Sequence, residues 1–91
     1  MKALKPGAQV PTEGVTVEWI MSRAGFRRGV EDRRAGRPMT WQGEDEVHWE
    51  YERGRLWASL APAAMPLRIG GMLNPKAVAL YRAAAKRKLI L

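Results

Sequence analysis

Six arginines lie between residues 22 and 38, against two acids and no lysine: Arg23, Arg27, Arg28, Arg33, Arg34 and Arg37. A guanidinium is planar and permanently charged. Its fork of N–H donors fits two oxygens of one phosphate or carboxylate. Arg23, Arg27 and Arg34 recur at helical spacing, with Arg28, Arg33 and Arg37 nearby, so the stretch predicts a dense cationic surface for phosphates. A second set, Lys86, Arg87 and Lys88 in "YRAAAKRK", offers another phosphate contact. It serves equally well as the solvated, dipole-matched end of a helix.

The middle of the chain is the opposite. Residues 39–60 hold five carboxylates against two arginines, together with Trp41, Trp49, Trp57 and Tyr51. Trp41, Trp49, Tyr51, Arg53 and Arg55 have the composition of protein-interface anchors, which would suit a partner protein or a second copy of the chain. The competing reading places the tryptophans in the core, because so short a chain needs its largest side chains inside. The same choice applies to Trp19 and Phe26, which could stack on unpaired bases but are expected to be core.

Catalytic chemistry is poorly represented. There is one histidine, His48, and two serines, Ser22 and Ser59. A set of Ser59, His48 and Glu52 can be drawn, but no nucleophile-elbow motif accompanies it. The acids Glu44, Asp45, Glu46, Glu50 and Glu52 lack the spacing and glycine of a calcium loop, so no metal is expected. "AGFRRGVEDRRAGRP" has no preceding strand and no Gly-Lys-Ser/Thr ending, so it is no phosphate loop. The chain is read as non-enzymatic and without a cofactor.

Composition sets the frame for these residues. Ninety-one residues, 46% hydrophobic, suit a single small domain. The absence of cysteine excludes disulfides and thiolate chemistry. The opening "MKALKPGAQVP" lacks the apolar run of a signal peptide, and nothing approaches the roughly 18 apolar residues of a membrane span. A soluble cytoplasmic protein with no membrane partner is expected. The net charge of +7, with pI near 10.6, favours a polyanion.

Residues 1–14, with Pro6, Gly7, Pro11 and Gly14, read as an extended or flexible arm. From Thr16, an N-cap, a helix is expected to run to Gly36 and Pro38, with Trp19, Phe26 and Val30 on one face. Gly25 and Gly29 within it suit close approach of another helix. Residues 45–60 read as a second helix with Trp49, Leu56, Trp57 and Leu60 on one stripe. A hairpin at 46–60 is the alternative, kept open by Gly54. Residues 61–73 read as an irregular connection with one short strand around Leu67–Ile69. Asn74 and Pro75 then open a last helix, "KAVALYRAAAKRK", and the final "LIL" folds back onto apolar surface. The fold class is therefore mainly α: a small three-helix domain over 15–91 behind the arm, or α+β if the hairpin forms.

"AGFRRGVEDRRAGRP" followed by "WEYERGRLWASL" resembles the ribosome modulation factor family and its small phage- and plasmid-encoded relatives. Ala24-Gly25-Phe26, Gly29, Ala35-Gly36 and Pro38 stand for the first helix of that family. Trp49, Tyr51, Gly54, Arg55 and Trp57 stand for its Trp- and Gly-rich second helix. The likeness spans residues 22–60. The family's Cys-Pro-Tyr or Asn-Pro-Tyr linker is replaced by "MTWQGEDE", and the arm and last helix are additional. The resemblance implies binding to ribosomal RNA. The expected partner is thus nucleic acid, RNA rather than DNA, in a regulatory role. An adaptor or inhibitor of phage or mobile-element origin, binding an acidic protein surface, is the alternative.

Overall fold

A computed structural model describes residues 15–39 and 45–90; the expected arm at 1–14, Trp41 and Leu91 fall outside them. The described chain is mainly α: α1 (Val17–Ser22), α2 (Ala24–Arg34), α3 (Asp45–Leu60), β1 (Arg68–Ile69), β2 (Met72–Leu73) and α4 (Pro75–Lys86). Residues 45–60 are helical, so the hairpin alternative is not realised there.

The first expected helix is two helices. Thr16 caps α1 as anticipated, its hydroxyl accepting from the Trp19 N–H at 3.0 Å. Six residues later the Ser22 hydroxyl donates back to the Glu18 carbonyl at 2.7 Å, a local bond that competes with continued helix. Arg23 then takes an extended conformation (φ −73°, ψ 147°), and its N–H bonds the Ile20 carbonyl while its own carbonyl accepts from Arg27. The corner changes the direction of the chain, so the shared face does not survive. Phe26 and Val30 are buried, whereas Trp19 stays 46% exposed.

The pairing of α2 with α3 rests on glycine. Gly29 and Gly54 are both buried in helix interiors, where glycine costs about 1 kcal/mol relative to alanine. A Cβ on Gly29 would land on the carbonyl oxygen of Tyr51, and one on Gly54 would land on the carbonyl oxygen of Phe26. Each helix thus receives the other's backbone where a side chain would otherwise stand. The expected close approach of another helix is met at Gly29, and Gly54 is its partner rather than a turn.

Helices α2 and α4 end in the same way. After α2, the Gly36 N–H bonds the Arg33 carbonyl and the Arg37 N–H bonds the Asp32 carbonyl, with Gly36 left-handed at φ 74°. After α4, Lys88 bonds the Ala85 carbonyl and Leu89 the Ala84 carbonyl, with Lys88 left-handed at φ 61°. This turn carries Ile90 into the core, while Leu89 remains exposed.

Residues 68–73 form a hairpin where one strand was expected. Arg68 pairs with Leu73 and Ile69 with Met72 across Gly70-Gly71, both at positive φ, the requirement of a tight two-residue turn. Asn74 ties the hairpin to α4. Its Oδ1 accepts from the Lys76 N–H at 3.1 Å and its Nδ2 donates to the Pro66 carbonyl at 2.9 Å. The core gathers Phe26, Trp57 and Tyr81, with ring centroids 6.2 and 6.0 Å from that of Phe26. The Trp57 indole N–H donates to the Ala77 carbonyl at 3.1 Å and fastens α3 to α4.

Candidate nucleic-acid interface

The arginines of residues 23–37 do not form one ridge. Successive helix positions turn by about 100°, so Arg28 and Arg33 leave the strip shared by Arg27 and Arg34 on either side. Several of the six also have structural partners. Arg34 donates to the carbonyls of Met65 (2.6 Å) and Pro62 (3.3 Å), and its guanidinium lies 5.3 Å from the Trp57 ring centroid. It holds the 61–67 connection against α2. Arg37 pairs with Asp32 at 2.9 Å. Arg27 is open to solvent, with Glu31 at 3.9 Å, and Arg28 is exposed. Lys86, Arg87 and Lys88 are exposed at the end of α4.

Of the aromatic residues expected on a protein-facing surface, Trp41 lies outside the described residues, and Trp49 and Tyr51 belong to the interior. Both are buried, but on different sides of α3, since two positions apart they are turned by about 200°: the Tyr51 backbone lies at the crossing with α2, and Trp49 joins the apolar core. The Trp49 indole N–H has no hydrogen-bond partner among the described residues, and the Arg53 guanidinium lies 4.9 Å from the ring centroid. Burial lowers the pKa of Arg53. The Tyr51 hydroxyl donates to Asp32 Oδ2 at 2.6 Å and accepts from Arg55 Nη1 at 3.3 Å, and the same Arg55 nitrogen donates to the Arg37 carbonyl at 2.9 Å. The Tyr51 hydroxyl and then Arg37 hold the Asp32 carboxyl below its ordinary pKa. Burial, followed by Asp32, pushes Tyr51 up.

Among the described residues, two recesses each collect three guanidinium groups. One, of about 340 Å³, lies between the end of α2 and α3, where Arg33, Arg53 and Arg55 surround a floor that includes Met39 and Leu56, with Glu52 beside them. The other, of about 140 Å³, lies at the α1–α2 corner and is lined by Met21, Ser22, Arg23, Ala24, Arg27 and Arg68. No carboxylate is among its lining residues. Its arrangement follows from the helix break. Extended backbone at Arg23 sends that side chain to α3, where Nε donates to Glu50 Oε2 at 2.8 Å. Glu50 is only 4% exposed, and the guanidinium lies 4.7 Å from the Trp19 ring centroid. The terminal nitrogens of Arg23 have no other hydrogen-bond partner among the described residues. Arg68 donates to the Gly71 carbonyl at 3.0 Å, which braces it along the hairpin.

Arg23 and Arg27 were expected at a phosphate site; Arg68 was not. It lies forty-one residues beyond Arg27 in the sequence, and only tertiary structure brings them together.

His48 and Ser59 sit eleven residues apart on α3, roughly 16 Å along the axis. His48 faces Glu52 at 3.4 Å, and the Ser59 hydroxyl donates to the Leu56 carbonyl. The catalytic set drawn from these three residues therefore does not assemble. Among the described residues no three His, Asp or Glu side chains gather as a metal site, and no helix is long and apolar enough to cross a membrane. Comparison with protein-family models, curated proteins and solved structures finds no match to this chain.

Proposed function

We propose that this protein is a non-enzymatic, regulatory nucleic-acid-binding module of the cytoplasm, preferring RNA to DNA. The observation that carries this reading is the corner recess, where Arg23, Arg27 and Arg68 converge without a lining carboxylate. A charged group held by a buried partner is already oriented, so little side-chain freedom is lost when a phosphate arrives. Arg23, on buried Glu50, meets that condition. Arg28 on α2, and Lys86, Arg87 and Lys88 at the end of α4, add to the exposed positive charge of the molecule. Residues 61–90 contain no acid to oppose them. The resemblance over residues 22–60 points the same way, toward ribosomal RNA. Gly29 and Gly54, two of the positions that carry it, meet at the α2–α3 crossing.

The test is a titration of labelled RNA and DNA oligomers at several ionic strengths. Binding is expected at ~10 μM or tighter in about 50 mM salt, with a linear fall of log affinity against log salt. Affinity no better than about millimolar at low salt, for either polymer, removes the proposal.

The acidic protein surface remains the second reading. It draws on the exposed Ile69 and Met72 at the hairpin tip and on the Arg33–Arg53–Arg55 recess with its apolar floor. Capture of a protein partner that persists after nuclease treatment is the result that favours it.

A further inference from the structure

We infer that the bound strand is single, and that one nucleotide of it is held in two places: its base on Trp19 and an adjoining phosphate in the Arg23–Arg27–Arg68 recess. This rests on the nucleic-acid reading above and names its substrate class.

Trp19 is nearly half exposed, in a chain where Trp49, Trp57, Tyr51 and Tyr81 are all buried. Its position is nevertheless fixed. It lies in the first turn of α1, its own N–H is bonded by the Thr16 cap, and the Arg23 guanidinium covers part of the ring. An exposed, oriented indole offers a flat apolar surface with a negative face. Unpaired bases stack on such a ring whatever their identity, while bases inside a duplex have both faces occupied by their neighbours. The feature thus discriminates between the two forms of nucleic acid.

The phosphate site follows from Arg23. One guanidinium both touches the Trp19 ring and lines the recess, so platform and recess are separated by a single side chain. Glu50 takes its Nε, which fixes the plane and leaves the terminal N–H groups for an incoming anion. Arg27 and Arg68 supply the other two charges from α2 and β1. At about 140 Å³ the recess is well below the roughly 300 Å³ at which pockets for whole small molecules begin. It takes a phosphate group and leaves the sugar and base outside, on the side where Trp19 stands.

The experiment compares a single-stranded RNA oligomer with the duplex of the same sequence, on wild type, Trp19→Ala, Trp19→Phe and Arg27→Gln/Arg68→Gln. Circular dichroism of each variant checks that the fold persists; Trp19, Arg27 and Arg68 are all exposed, so it should. The single strand is expected to bind at least about tenfold tighter than the duplex. Trp19→Ala should lower its affinity roughly 5- to 100-fold and leave the duplex unchanged, with Trp19→Phe between the two. The double arginine variant should reduce the salt slope by at least about one. Equal binding of strand and duplex, with Trp19→Ala neutral, overturns this inference while leaving the nucleic-acid reading in place. Absence of binding to both removes that reading as well.

Discussion

Lys88 and Gly36 occupy the same position in the same helix-ending motif, one residue past the C-cap and left-handed. Gly36 adopts φ 74° at no steric cost, whereas a side chain at φ 61° crowds the carbonyl that follows it. Lys88→Gly is therefore expected to stabilise the protein by about 1 kcal/mol, measured by urea unfolding. If Lys88 also meets a phosphate, the same change reduces the salt slope of RNA binding by about one. Stability and affinity then move in opposite directions in a single variant. The stop at Gly36 was readable from "AGRP", because glycine before proline announces it. The stop at Lys88 was not, since lysine at that position announces nothing; only the Leu89 and Lys88 N–H bonds reveal it.

Elements are joined here by polar side chains at their ends. The Asp32–Tyr51–Arg37–Arg55 group pins the last turn of α2 to the middle of α3. Because the folded protein holds Asp32 below its ordinary pKa of 3.8, the ionised group favours the folded state. That contribution is complete above the ordinary value and is lost as pH falls through the lowered one. Tyr51→Phe removes the largest cause of the shift. It is expected to destabilise the protein near neutral pH, with the difference from wild type shrinking as acid protonates Asp32. Stability curves of the two proteins from pH 7 to pH 2 check this; a difference independent of pH would contradict it. Helix starts at Thr16 and Asn74-Pro75 were legible, because caps are local chemistry. The break at Arg23 was not. The face of Trp19, Phe26 and Val30 and the arginines beside it run straight through it, and α1 ends where a serine hydroxyl turns back on its own helix and Arg23 reaches a glutamate twenty-seven residues away.

At the scale of the molecule, the α2–α3 crossing is the frame on which the other elements dock. Phe26 and Trp57, one from each of these helices, face each other in the core; Tyr81 of α4 packs on Phe26, and Trp57 bonds the α4 backbone. Separating the pair separates everything. Gly54→Ala forces a methyl group onto the Phe26 carbonyl and is expected to cost about 3 kcal/mol, seen as a lower midpoint in a single unfolding transition. Loss of α4 alone, with α2 and α3 intact, would contradict that coupling. The mainly helical class and the excess of positive charge were legible from composition and periodicity. The distribution of that charge was not, because Arg34, Arg37 and Arg55 spend their donors on backbone carbonyls and Asp32.

The reciprocal seating of two backbones, each in the gap left by the other's missing Cβ, also gives the chain a recognisable signature. Randomising positions 29 and 54 together and selecting for folded protein should return glycine at both, since neither gap can be filled without parting the helices. A glycine followed by another twenty-five residues on, with helix-forming sequence around each, is then the pattern by which distant kin of this architecture could be found after their arginines and tryptophans had drifted beyond recognition.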